Sequence, residues 1–299
     1  MKKRITLLVA LAIVSITNFA SFAQKVTPPL SGIYDQAIAN AEKQVGTIDT
    51  IEVMSAKMGR TIKNTLVLPA QYYQKDNPTK FYPVVYLLHG AQGSYRDWAR
   101  KADLRSLASQ YGVIIVCPDG QDSWYFDSPI DPACQFETYV THELRRYIET
   151  NYRTLNEAKY RAITGLSMGG HGALWLAWRH PEIYGSCGSM SGGVDIYSSP
   201  NRWRINERLG DFESNKEVWK AHSVISLVPS LEPGQNIIID DGTHDIFIKD
   251  NNALHEELLK YKIPHDYIVR PGNHSWTYWV NSLDYHLLFF HKAFNAGVK

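Results

Sequence analysis

Two stretches near the start of the patterned region, residues 51–56 and 62–68, flank Met58-Gly59-Arg60 and predict an antiparallel hairpin. Residues 83–88 and 113–116 are apolar at almost every position. A strand buried on both faces between layers of helices reads that way. Further strands are predicted at 160–164, Ser186–Met190, 236–239 and 266–269. Helices are predicted between them at 103–111, 136–152, 170–180, 251–261 and 275–293. In 136–152, Tyr139, Leu144, Tyr147 and Ile148 recur at roughly helical spacing. The helix at 170–180 stops before Pro181, where a helix is disfavoured. Alternation of strand and helix after an opening hairpin predicts an α/β fold: a mostly parallel sheet of about eight strands with helices on both faces. Residues 192–235 have no convincing strand pattern and carry Tyr197, Trp203 and Trp219 among many polar residues. They predict a cap over the carboxyl edge of the sheet, or a long helical excursion.

The first residues follow a different pattern. Lys2, Lys3 and Arg4 precede an apolar stretch at 5–16 that is short for a membrane span. Ser21-Phe22-Ala23 then places small residues three and one positions before Gln24. This is the pattern of a secretory signal peptide, residues 1–23, cleaved after Ala23. A lead-in at 24–47 and a single domain at 48–299 complete the chain, and the expected product is secreted or periplasmic with no stable insertion in a membrane. Export permits disulfides, but the chain has only Cys117, Cys134 and Cys187. Cys117 and Cys187 lie in strand patterns and read as buried thiols. A Cys117–Cys134 bridge is the alternative.

Composition narrows the function classes. With 44% apolar and 20% charged residues in 299, the chain is an ordinary globular protein. Lys plus Arg is 31 against 30 Asp plus Glu, which gives no bulk basic charge for nucleic acid. No cysteine pair has metal-ligand spacing such as CxxC, and neither metal nor cofactor is expected. Many of the 8 Trp and 18 Tyr must be core, but a surplus of aromatics often lines a carbohydrate or acyl site, and their number hints at one.

The chemistry is concentrated in Gly165-Leu166-Ser167-Met168-Gly169, a G-x-S-x-G between an apolar strand and a helix. That setting makes a sharp turn that lifts the Ser167 hydroxyl above the sheet edge at the positive end of the helix. A serine hydroxyl needs a base to take its proton. Of 11 histidines, His274 in Pro271-Gly272-Asn273-His274-Ser275-Trp276 lies just past the last strand, at the same edge as Ser167. His286 and His291 fall inside the last helix. His171 lies on the helix of Ser167 and reads as packing, and His89 precedes Gly90 at a strand end, where its backbone matters more than its ring. The acid that orients the base is expected past the penultimate strand, in Asp240-Asp241-Gly242-Thr243-His244-Asp245. Asp245 is chosen because it lies far enough on for the chain to have turned over the sheet edge. Asp241 is second, and reads first as a residue that serves the turn at Gly242; losing one such bond in Asp241→Asn costs about 1 kcal/mol. The two N–H groups of an oxyanion hole are expected at Met168, after the nucleophile, and at Ala91 in the glycine-rich loop after the first central strand. Trp98, Trp124, Tyr125 and Trp276 are candidates for the substrate wall.

These motifs, with Tyr86-Leu87-Leu88-His89-Gly90, Ser123-Trp124-Tyr125, Asp241-Gly242-Thr243-His244-Asp245 and Gly272-Asn273-His274-Ser275-Trp276, resemble the esterase D-like branch of the α/β-hydrolases. S-formylglutathione hydrolases, feruloyl and acetyl xylan esterases and mycolyltransferases are members. The resemblance spans about residues 48–294. It implies an α/β-hydrolase fold and a serine esterase working through an acyl-enzyme, with Ser167 as nucleophile, His274 as base, Asp245 as acid and Ala91 and Met168 as oxyanion donors. The cytosolic formylglutathione enzymes lack a signal peptide. The expected substrates are therefore small-molecule or polysaccharide esters, acetyl or feruloyl, rather than glutathione thioesters. An acyltransferase of the mycolyltransferase type using the same triad, or a thioesterase like the S-formylglutathione hydrolases, is the alternative, and a non-catalytic module on the same fold comes after them.

Overall fold

In the computed structural model, residues 45–74, 78–200 and 202–296 are described. The signal peptide and almost all of the lead-in lie outside them. The chain divides at Val45/Gly46, and the sheet with all its helices belongs to the unit from Gly46 onward.

The opening hairpin is β1 (Thr47–Ser55) and β2 (Arg60–Leu68), paired antiparallel from Thr47↔Leu68 to Ser55↔Arg60. The apolar runs form β3 (Val84–Leu88) and β4 (Ile114–Pro118). Then come β5 (Arg161–Gly165), β6 (Ser186–Met190), β7 (Asn236–Gly242) and β8 (Asp266–Arg270). Among the described residues these eight make one sheet, in the order β1-β2-β4-β3-β5-β6-β7-β8. β2 joins β4 antiparallel, and every later pair is parallel. The expected α/β class and all eight strands are present.

Alternation along β3 shows why the sheet must be covered on both sides. Val84, Tyr86 and Leu88 belong to one core and Val85 and Leu87 to the other, and all five are buried. One core is closed by α1 (Asp97–Lys101), α2 (Leu104–Tyr111) and α8 (Trp276–Phe294), through Trp98, Leu104, Leu283 and Phe290. The other is closed by α3 (136–151), α4 (Met168–Arg179) and α7 (Ile248–Lys260), through Phe136, Tyr139, Leu174, Leu254 and Leu258. The predicted helix at 136–152 is α3, but it is not uniform: Phe136–Thr138 and Arg145–Asn151 are α-helical and Tyr139–Leu144 between them is π-helical.

Residues 192–235 carry the short helices α5 (Asn206–Leu209) and α6 (Lys216–Ala221) and two 3₁₀ turns. They belong to the same compact unit as the sheet. The three cysteines are buried and free, which is the thiol reading and not the Cys117–Cys134 bridge. Among the described residues no helix is long and apolar enough to cross a membrane.

Parallel strands bring their following loops to one edge, and the loops after β3, β5, β7 and β8 meet there. The contact is close at the β5–α4 turn. A Cβ on Gly169 would sit 2.6 Å from the carbonyl oxygens of both Leu88 and His89. Backbone atoms cannot step aside as a side chain can. Gly169→Ala should therefore cost about 1–3 kcal/mol, as overpacked core sites do, and should displace the turn that holds Ser167. A urea midpoint unchanged from the parent would contradict this.

Candidate active site

Ser167 sits between β5 and α4 with φ 55° and ψ −119°, a left-handed backbone that side chains rarely adopt. The turn is held from several sides. The Ser167 N–H donates to the Met190 carbonyl at 2.9 Å, and the His171 N–H donates to the Ser167 carbonyl at 3.0 Å. The hydroxyl is thus presented at the start of a 12-residue helix.

His274, from the loop between β8 and α8, meets it: Nε2 lies 3.0 Å from Ser167 Oγ. The other ring nitrogen, Nδ1, lies 3.0 Å from both oxygens of Asp245. The hydrogen bond to Asp245 puts the proton on Nδ1 and leaves Nε2 to accept from the serine. The ring is wedged edge-on between Phe247, at 5.3 Å, and Trp279, at 4.8 Å between centroids. Asp245 is buried, and its Oδ1 also accepts the Phe247 N–H at 2.9 Å.

The three neighbouring aspartates have separate surroundings. Asp240 is fully buried and bound to Arg270 (2.5 Å), Ser282 (3.1 Å) and the Tyr278 hydroxyl, tying β7 to β8 and α8. Asp241 accepts the Gly242 N–H on Oδ1 at 2.7 Å, while its Oδ2 is buried with no hydrogen-bond partner among the described residues. Burial, and then the charge of Asp245, push its carboxyl up to about 8. Asp245 alone of the three reaches His274.

The other histidines do other work. His171 is fully buried, donates from Nε2 to the His222 carbonyl at 2.9 Å and is held neutral by burial, which lowers it to about 3. His286, with Nδ1 2.8 Å from the Thr164 hydroxyl, is lowered to about 3 in the same way. His89 corrects the sequence reading, because its ring is engaged. Nε2 accepts the Gly120 N–H at 2.8 Å, so the proton is on Nδ1, which donates to the Gly90 carbonyl at 2.7 Å.

That carbonyl belongs to the peptide whose N–H is Ala91's. Neither the Ala91 nor the Met168 N–H has an acceptor among the described residues. Ala91 and Ser167 line the same cleft, about 690 Å³ in volume, with His274, Trp203, Trp276 and Trp279.

Three of the four proposed wall aromatics are not wall. Trp98, Trp124 and Tyr125 are buried almost completely. Trp98 donates from its indole N–H to the Leu88 carbonyl at 2.9 Å and packs edge-on under Trp276. Trp124 and Tyr125 both have positive φ, 56° and 61°. Tyr125 packs under Gly172 and donates to the His89 carbonyl at 3.2 Å, while the Trp124 indole donates to the Trp203 carbonyl. Trp276 does line the cleft, and the residues missed are Trp203 and Trp279. Trp279 was signalled by its place three residues after Trp276, on the same face of a helix. Trp203 had no signal beyond its place in the suspected cap.

A doubly covered sheet in this strand order, with a serine on a strained strand–helix turn hydrogen-bonded to a histidine, defines an α/β-hydrolase. Residues 55–290 match the model of the Esterase family, described as "Putative esterase", and the chain belongs to that family. An acetyl esterase of Caldicellulosiruptor saccharolyticus is 26% identical over 243 residues, covering 73% of this chain and 89% of that protein. An S-formylglutathione hydrolase of Paracoccus denitrificans (strain Pd 1222) is 28% identical over 220 residues, covering 66% of this chain and 77% of that protein. The solved structure of a ferulic acid esterase superposes with a TM-score of 0.73 at 26% identity, over 84% of this chain and 99% of that one. This chain is accordingly a serine carboxylic ester hydrolase.

Proposed function

We propose that this esterase is exported to the periplasm or the medium and cleaves acetyl or feruloyl esters of carbohydrate. In this reading Ser167, His274 and Asp245 are its catalytic triad. The observation that carries the catalytic assignment is the unbroken chain from Ser167 Oγ through both ring nitrogens of His274 to Asp245, with every step at 3.0 Å. His274 Nε2 takes the hydroxyl proton as Oγ attacks the ester carbonyl. The N–H groups of Ala91 and Met168 receive the oxyanion, and Asp245 stabilises the imidazolium. The same Nε2–H then protonates the departing alcohol. Water activated by His274 releases the acid from the enzyme.

The substrate class rests on three features. Trp203, Trp276 and Trp279 give the cleft flat apolar walls of the kind that receive a sugar ring or a cinnamoyl group. Two of the similar proteins are an acetyl esterase and a ferulic acid esterase. The signal-peptide pattern at 1–23 separates the chain from a cytosolic thioester hydrolase.

The test is a panel of acetyl, butyryl and feruloyl esters of nitrophenol and of arabinoxylan, beside S-formylglutathione. The expected result is a higher kcat/KM for an acetyl or feruloyl xylo-oligosaccharide than for the thioester. A preference for S-formylglutathione overturns the substrate assignment. A product that appears only with an added sugar or lipid alcohol would favour the acyltransferase. The export reading predicts a mature protein that begins at Gln24, and mass measurement of the native N-terminus checks it.

A further inference from the structure

We propose that Asp122, in the loop after β4, is a positioning residue that sets the Ala91 oxyanion donor and couples it to the cap segment carrying Trp203. This rests on the esterase reading of the Ser167 site.

Ala91 is held through the peptide groups on its two sides. The Gly90–Ala91 peptide is gripped by its carbonyl, which accepts from His89 Nδ1 at 2.7 Å and from the Gly93 N–H at 3.1 Å. A trans peptide points its N–H away from its carbonyl. Fixing the Gly90 oxygen therefore aims the Ala91 N–H. The next peptide is gripped by its N–H: Gln92 donates to Asp122 Oδ1 at 2.6 Å. Gln92 has φ 59°, a left-handed conformation that needs outside support in a residue with a side chain. Asp122 supplies that support from another loop.

The second oxygen of Asp122 faces the cap. Oδ2 accepts from Arg204 Nη1 at 3.2 Å, and the Asp122 backbone carbonyl accepts from Arg208 Nε at 3.2 Å. Arg204 follows Trp203, and both have positive φ, 60° and 51°. Two residues after Asp122, the Trp124 indole N–H holds the Trp203 carbonyl at 3.2 Å. One half-buried carboxylate therefore bonds both the loop that stabilises the oxyanion and the segment that presents an aromatic wall to the substrate. A shift of the Trp203 segment reaches Ala91 through two hydrogen bonds. The Asp122–Arg204 pair is exposed on the arginine side and contributes little to stability. Its role is geometric.

The experiment compares Asp122→Ala, Asp122→Asn, Arg204→Ala and Ser167→Ala with the parent. It uses the full mature protein and a nitrophenyl acetate and feruloyl ester pair. Asp122→Ala should lower kcat by about tenfold or more, short of the 10²–10³ that follows loss of a whole oxyanion donor. Its affinity for a phenylboronic acid, which forms a tetrahedral adduct at the serine, should weaken in parallel. Asp122→Asn keeps an oxygen for the Gln92 N–H and should restore kcat to within about threefold of the parent. Arg204→Ala should raise KM for the feruloyl ester severalfold and, through Asp122, lower kcat about threefold, less than Asp122→Ala does; kcat unchanged from the parent overturns the coupling. If Asp122→Ala does not fold, Asp122→Ser, too short to span both partners, takes its place. The proposal is overturned if the Ala or Ser variant keeps kcat within twofold, or if Asn is as impaired as Ala. Ser167→Ala keeps the two readings apart. If it retains hydrolysis, the assignment of the site itself fails. If it is inactive while every Asp122 variant is normal, only the coupling fails.

Discussion

Ser167→Ala should lower kcat by on the order of 10⁶, the loss seen when the nucleophile of a serine hydrolase triad is removed, and should abolish covalent labelling by a fluorophosphonate. The magnitude reflects the groups left behind. Without Oγ there is no acyl-enzyme, and His274 keeps only its bonds to Asp245. The residual rate comes from the cleft and from oxyanion donors acting on attack by water. The variant should fold as well as the parent. The left-handed backbone of Ser167 burdens Ala no more than Ser, and the bonds that hold the turn run through its N–H and carbonyl. The checks are steady-state hydrolysis of nitrophenyl acetate, labelling, and the urea midpoint. Retained hydrolysis with an unchanged midpoint would move the nucleophile elsewhere.

Ser167 and His274 could be read from the sequence because each is marked by its backbone setting. Gly165 and Gly169 admit a turn in which α4 and β3 come within contact distance of one another, and no side chain fits there. His274 is marked by its place just after the last strand. The strands were legible because burial on both faces needs unbroken apolar runs. The aromatic wall was not legible. A tryptophan beside a strand end is apolar whichever way it points, and its direction is set by φ values of neighbouring loop residues that no composition encodes. Trp124 and Tyr125 are buried, at positive φ in non-glycine positions. Trp203 faces the cleft because loop contacts some 80 residues away in sequence hold it there. Asp122 and the His89 ring escaped for the same reason: their partners are backbone groups of other loops.

Asp245→Asn should lower kcat by on the order of 10⁴, the loss known for the equivalent change in a serine protease, with little change in KM for a small aryl ester. The amide occupies the carboxylate's space and cannot stabilise the imidazolium. Its NH₂ can also face His274 Nδ1 and favour the tautomer that leaves Nε2 protonated, unable to accept from Ser167. Asp241→Asn is the control, because the two residues lie in one loop and differ in what they touch. Asp241 bonds the Gly242 N–H and not His274, so its variant should retain most of the activity. Its effect should appear in stability, with a sign that depends on pH. The Asp241 carboxyl is raised to about 8 in the folded chain, by burial and then by the Asp245 charge, whereas the unfolded chain titrates near the ordinary aspartate value. Between those values the folded state holds a proton that the unfolded state has lost. Stability from this group therefore falls as pH rises from about 4 to about 8. Asn is neutral throughout and removes that slope. Its urea midpoint relative to the parent should climb across this range. The cost of about 1 kcal/mol expected from one lost turn bond is confined at most to the acid end, since Asn Oδ1 still accepts the Gly242 N–H. Kinetics at one pH and urea midpoints at pH 5 and 9 separate the two aspartates. An almost inactive Asp241→Asn beside an active Asp245→Asn would exchange their assignments and leave the Ser167–His274 pair standing.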